Sequence, residues 1–125
     1  MDRKKTVAGR IRNVVREYQK RPDSTSGCDG ALWGGADAGH PDILKLKDIV
    51  SPQHVMPQEV IAKPTVIIAY CAPFTRALAD TNKAPGEVAS PEWARTYEET
   101  NRMFAALNNY LIAELKKIGC IAGVP

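Results

Sequence analysis

Aromatic residues are scarce in this chain, at 6% of 125 residues, so few rings are available to line a binding site. Long apolar runs are missing too. None approaches the about 20 residues that span a bilayer, so no membrane partner is expected. The opening "MDRKKTVAGRIRNVVREYQK" lacks the apolar stretch of a secretory leader, which makes the cytoplasm the expected location. Cysteine is sparse: Cys28, Cys71 and Cys120 stand far apart and no two form Cys-x-x-Cys. An iron–sulfur cluster takes four thiolates, usually from a tight run, and structural zinc takes close ligand pairs. Neither is expected here. Three reduced thiols are the expected state, with Cys71 packed as a small hydrophobe in an apolar strand. No phosphate-cradling G-x-x-x-x-G-K-[ST] and no G-x-G-x-x-G after a strand occurs. "WGGADAG" is glycine-rich but follows no strong strand, and His40 and His54 read as loop histidines.

What is present has the balance of a globular protein, 44% hydrophobic and 25% charged. The length suits one domain over 1–125. The net charge of +3 hides an asymmetry. Residues 1–21 carry Arg3, Lys4, Lys5, Arg10, Arg12, Arg16, Lys20 and Arg21 against Asp2 and Glu17. A helix this basic is either a solvated face or a surface for phosphates and anionic headgroups.

Val7, Ile11, Val14, Val15 and Tyr18 recur at helical spacing, predicting an amphipathic basic helix over 6–20 with Thr6 as its cap. Glycine, proline and serine make 21–41 mostly loop, with "ALWGGA" as a short strand or edge segment. "DILKLKDIV" reads as one short helix capped by Asp42, and "PQEV" as a single helical turn opened by Pro57. "TVIIAYCAPF" is the clearest strand, about 65–72, apolar enough for burial on both faces and a central place in the sheet. Pro73 ends it. Residues 75–89 read as a linker or lid with one turn at "RALAD". The long helix then runs about 91–118: Ser90 caps it, Pro91 opens it, and Trp93, Tyr97, Phe104, Leu107, Leu111, Leu115 and Ile118 form its stripe. Lys116 and Lys117 suit its last turn, and Gly119 suits a left-handed stop. "CIAGVP" reads as the start of a strand. The expected fold is α/β or α+β, a small incomplete sheet packed by the N-terminal helix and the long helix.

The first turns of that long helix pose the functional question. Trp93 and Tyr97 lie four apart, with Arg95 and Asn101 close by. On a helix, Asn101 falls about 80° from Trp93, at the border of the stripe, and Arg95 about 200° from it. Core packing alone accounts for the aromatic residues. Polar groups at the border of a stripe also suit a helix that roofs a cavity, where they meet a ligand.

Three segments together resemble the N-terminal region of the epoxyqueuosine reductase-like family of iron–sulfur, cobalamin-dependent reductases. They are "GHPDILKLKDIVSPQHVMPQEVIAKPTVIIAYCAPF", "ASPEWARTYEETN" and the helix ending "LKKIG", within roughly residues 31–125. The matching positions are Pro73 and Phe74 at the strand end, and Trp93, Tyr97, Thr100 and Asn101 on the helix. The resemblance implies cobalamin bound between this region and a ferredoxin-like part that delivers electrons, with the acid beside the substrate supplied from beyond residue 125. Built on that resemblance, the expectation is that Tyr97, Asn101 and Arg95, the last lying within the motif without matching it, flank a corrinoid or substrate cavity walled by Trp93 and Phe74. No iron–sulfur cluster is expected in this chain, so the expected role is a corrinoid- or substrate-binding half of a reductase. A partner would be an iron–sulfur protein or a second copy. Two other readings stand beside it: a non-enzymatic domain that pairs through its sheet edge, and a basic helix that binds tRNA or another anionic surface.

Overall fold

The computed structural model describes residues 2–21, 27–84 and 86–125. The part of the expected loop at 22–26, and residue 85 in the segment between strand and long helix, lie outside the described residues. In chain order the elements are α1 (Arg3–Gln19), β1 (Leu32–Asp37), α2 (Pro41–Leu44), α3 (Leu46–Ile49), α4 (Pro57–Val60), β2 (Val66–Cys71), α5 (Arg76–Thr81) and α6 (Pro91–Lys117). The fold is α+β: β1 and β2 form a small two-stranded antiparallel sheet, with an N-terminal and a long C-terminal helix. The chain divides into two compact units, Met1–Leu32 with Tyr70–Leu111 and Trp33–Ala69 with Ile112–Pro125.

The first unit has a core. On α1 the buried residues are Val7, Ala8, Ile11 and Val15, the three- and four-residue steps of an amphipathic helix. The helix starts earlier than Thr6: the Asp2 carboxylate accepts the Lys5 amide at 3.4 Å, and the Thr6 hydroxyl donates back to the Asp2 carbonyl at 3.1 Å. Aspartate is among the strongest caps, so it takes the position ahead of threonine. Two polar contacts tie α1 to α6. Tyr18 donates its hydroxyl to the Glu99 carbonyl at 3.1 Å, and Arg10 donates to the Tyr110 hydroxyl at 3.2 Å. Ile11 and Leu107 are fully buried, each contributing about 1.5–3 kcal/mol of hydrophobic stabilisation. Val15, Ala72 and Met103 form a cluster against which Tyr18, Cys28, Ala31 and Phe104 pack.

Beyond the end of β2, the chain keeps an antiparallel partner. Cys28 bridges to Phe74, the Asp29 amide donates to the Pro73 carbonyl at 2.7 Å, and the Thr75 amide donates to the Gly27 carbonyl at 2.7 Å. Pro73 lacks an amide but still offers its oxygen, so proline sits here without leaving a gap. Thr75 then caps α5 by accepting the Leu78 amide at 3.2 Å.

The second unit is far less enclosed. Among its described residues Ala38 alone is buried, while Leu44, Ile49, Val50, Val55, Val66, Ile121 and Val124 are exposed. β2 departs from the expected burial on both faces: Val66, Ala69 and Cys71 are exposed and the residues between them half-buried. In a sheet of two strands every strand is an edge, so an apolar sequence does not secure a central place. Cys71 is correspondingly an exposed thiol rather than a packed one.

"DILKLKDIV" forms two single turns instead of one helix, because Lys45 closes α2 and also opens α3. His40, not Asp42, is the cap: its Nδ1 accepts the Asp42 amide at 3.3 Å. The Glu59 carboxylate sits below the usual carboxylate range, held there first by the Met56 amide at 2.6 Å and then by Lys47. After α6, Gly119 takes a left-handed φ of 77° and the Cys120 amide returns to the Leu115 carbonyl at 2.9 Å, the expected glycine stop. The last residues form no strand. Gly123 instead passes close to α4, where a Cβ would meet the Ile61 and Val60 methyls at 3.0 Å.

Candidate functional site

All five expected site residues belong to the first unit, four of them at the start of α6 and Phe74 just past β2. A small clasp positions that start. Ser90 is 2% exposed, and its hydroxyl accepts the Trp93 amide at 3.1 Å as an N-cap. The same hydroxyl meets the Thr81 hydroxyl at 2.6 Å, the Ser90 amide donates to the Asn82 side-chain oxygen at 2.7 Å, and Thr81 donates to the Leu78 carbonyl at 2.7 Å. The end of α5 therefore sets where α6 begins. The cap on Ser90 was legible in "SPE"; the clasp was not, because Thr81 and Asn82 lie nine and eight residues away in an unstructured-looking stretch.

The clasp brings Trp93 against Phe74. Their ring centroids are 4.8 Å apart at 82°, an edge-to-face pair, a geometry that adds about 0.5–1.5 kcal/mol beyond the buried area. Both rings are half-buried, so each keeps an accessible edge. The polar residues are placed differently. Tyr97 is 58% exposed, and Asn101 and Arg95 are exposed as well. Tyr97 and Asn101 follow Trp93 on neighbouring turns, while Arg95 falls about 200° around the axis on another side of α6. Four of the five residues thus share one side; Arg95 does not join them.

The stripe that faces the core differs from the expected one. Thr96, Thr100, Met103, Leu107 and Leu111 are buried, which rotates the buried face about 40° away from Trp93 at 100° per residue. That rotation is what turns Tyr97 and Asn101 outward. Thr100 tolerates burial because its hydroxyl donates to the Thr96 carbonyl at 2.7 Å, a bond that satisfies it without leaving the helix. Threonine's methyl then packs as an aliphatic group would. A count of apolar letters passes over both threonines, so the seam was misplaced by the sequence reading.

Two titratable groups lie at the edge of this core. Burial pushes the Cys28 thiol above its ordinary value, and Asp29 pushes it the same way, while the Thr100 hydroxyl at 3.6 Å opposes them. Burial also raises the Tyr70 phenol, which hydrogen-bonds the Asn108 side chain and lies 5.6 Å from the Phe104 ring. Both groups are neutral at physiological pH and serve as packed, hydrogen-bonded parts of the core. Cys120 is half-buried and Cys71 exposed, and no disulfide joins the three cysteines among the described residues. Among the described residues no group of three or more His, Cys, Asp or Glu is placed to hold a metal ion, and no helix is long and apolar enough to cross a membrane.

No family model matches this chain, no curated protein matches it, and no solved structure matches it.

Proposed function

We propose that this chain is the corrinoid- or substrate-binding half of an iron–sulfur-dependent reductase of the epoxyqueuosine reductase-like kind, not competent for the whole reaction by itself. The observation that carries the reading is the contact between Phe74 and Trp93. These two positions, nineteen residues apart in the chain and both singled out by the resemblance, stand ring against ring at 4.8 Å. Tyr97 and Asn101 continue from that pair along one side of α6, exposed and free of helix-packing duties. An apolar ring wall flanked by a phenol and an amide suits the rim of a corrin, whose periphery carries amides. Trp93 and Phe74 would hold its apolar edge, and Tyr97 and Asn101 its polar substituents. Exposure of these groups fits half of a site whose other half comes from elsewhere. Arg95 lies apart and is left out of the binding set. When bound, the corrinoid would supply the redox-active metal centre; this chain's residues would position it and shape the polarity around it.

Titrating the purified protein with hydroxocobalamin, followed in the visible spectrum, tests this reading. A saturable shift that weakens in Tyr97→Ala and Asn101→Ala supports it. A spectrum equal to that of free hydroxocobalamin, with and without reductant, counts against it.

A second reading has its own observation. β2 carries no charged residue from Val66 to Cys71, Val66 is exposed, and the sheet has only two strands among the described residues. Two-stranded sheets are marginal alone, and unprotected apolar edges invite a further strand. On this reading the chain is an interaction domain that pairs through its sheet edge. Val66→Lys would then shift the elution of a self-associated species to that of a monomer. A wild-type protein that is monomeric at every concentration and crosslinks to nothing speaks against it.

A further inference from the structure

We infer that His40 is a pH-operated switch at the start of α2, trading a backbone cap for a side-chain ion pair when its imidazole takes up a proton. A helix of four residues leans heavily on its cap, and here the capping group is titratable. Pro41 brings no amide, so the Asp42 amide is the first backbone donor that α2 has to satisfy, and the His40 Nδ1 accepts it at 3.3 Å. A ring nitrogen accepts only while it carries no hydrogen, so this contact requires the neutral imidazole with its proton on Nε2. The same Nδ1 stands 3.7 Å from the Asp42 carboxylate. One nitrogen thus faces an amide hydrogen and an anion, and it serves one of them at a time. Neutral, it accepts from the amide. Protonated, it becomes a donor, turns from the amide hydrogen and draws in the carboxylate.

The charges around the ring decide the direction of the change. On its own stretch they are Asp37 and Asp42; between α2 and α3 stands Lys45, and on α3, which follows directly, Lys47 and Asp48. Asp37 is occupied by the Gly39 amide at 2.8 Å, and Lys47 is turned to Glu59 at 3.3 Å. Among the described residues the Asp42 carboxylate is the ring's one ion partner. Both side chains of that pair are more than half exposed, so water screens it and it replaces the lost cap only in part. A cation at a helix N-terminus also opposes the helix dipole. Protonation therefore loosens the first turn of α2. That turn lies where β1 gives way to the short helices: the Ala38 amide donates to the Thr65 carbonyl and the His40 amide to the Asp37 carbonyl, each at 3.1 Å.

The test follows backbone amides and imidazole rings of the full chain by NMR at pH about 7.5 and about 5.5, the range in which histidine is the side chain that changes charge. Measured against an unstructured peptide at the same pH, the Asp42 amide should exchange roughly 2- to 5-fold faster at the lower pH, the modest loss expected for a cap on an exposed turn. His40→Asn supplies a cap that carries no charge, so its Asp42 amide should be equally protected at both. Asp42→Asn keeps the backbone donor and removes the ion pair, which should move the titration of the His40 ring to lower pH. His54→Gln removes the other of the two histidines and should alter neither result. Wild-type protection of the Asp42 amide that is the same at both pH values, a loss at low pH that persists in His40→Asn, or a ring titration that Asp42→Asn leaves in place would each overturn the inference.

Discussion

At the scale of single residues, the decisive groups are small and polar. Ser90 caps α6, bonds Thr81 and donates its own amide to the Asn82 side-chain oxygen, all while almost wholly buried. Ser90→Ala should lower stability by about 1–2 kcal/mol, at the upper end for a cap because the Thr81 hydroxyl loses its partner as well. Thermal unfolding would show the loss, and Ser90→Thr should recover part of it. Cys28 makes a prediction about pH. Its thiol titrates above the ordinary 9.0 because burial disfavours the thiolate. The folded state therefore holds the proton more tightly than the unfolded chain. Stability is full below the ordinary value and falls as pH climbs from there through the raised one. Denaturant unfolding at pH 7 and pH 10 should show a smaller alkaline loss in Cys28→Ala than in the wild type. What the sequence could not disclose at this scale is which side chains are satisfied locally. Thr96 and Thr100 read as polar letters, yet both line the core seam, and the bond from the Thr100 hydroxyl to the Thr96 carbonyl satisfies Thr100 there.

Elements were more legible than residues, and for a physical reason. Helical periodicity survives small errors of phase, so α1 and α6 were found nearly at their observed limits, 3–19 and 91–117 against 6–20 and 91–118. Phase itself was not secure. The stripe drawn through Trp93 and Tyr97 was off by about 40°, enough to place Tyr97 on the border and then in solvent. The strand at 66–71 was found from its β-branched run, but the run could not say how many neighbours the strand has. Burial of a strand is a property of the sheet around it. Short elements were the least legible: "DILKLKDIV" has a helix's letters but breaks at Lys45, and no capping residue there announces it. Gly9 yields the prediction at this scale. Gly9→Ala should stabilise the protein by about 0.5–1 kcal/mol, because a Cβ there meets only open space and the unfolded chain loses freedom. A chemical denaturation curve with a higher midpoint and an unchanged slope is the expected result.

The whole molecule divides its duties between two units. One has a closed core of α1, α6 and the chain around Ala72, and it bears every residue of the candidate site. The other buries Ala38 and leaves seven large aliphatic side chains exposed. Exposed apolar side chains are what a protein contact covers where they form one patch, and these are the material for the sheet-edge pairing proposed above. The proposed half-site belongs to that logic: a ring wall held in place by the clasp, with its polar neighbours turned outward. The most direct measurement follows Trp93 itself. Only two tryptophans are present, so Trp33→Phe leaves Trp93 as the sole indole reporter. Titrating that variant with hydroxocobalamin at fixed protein concentration should quench the Trp93 emission saturably, and Phe74→Ala should weaken the quenching. Emission that falls only in proportion to the absorbance of added cobalamin, identically in both variants, would contradict the account.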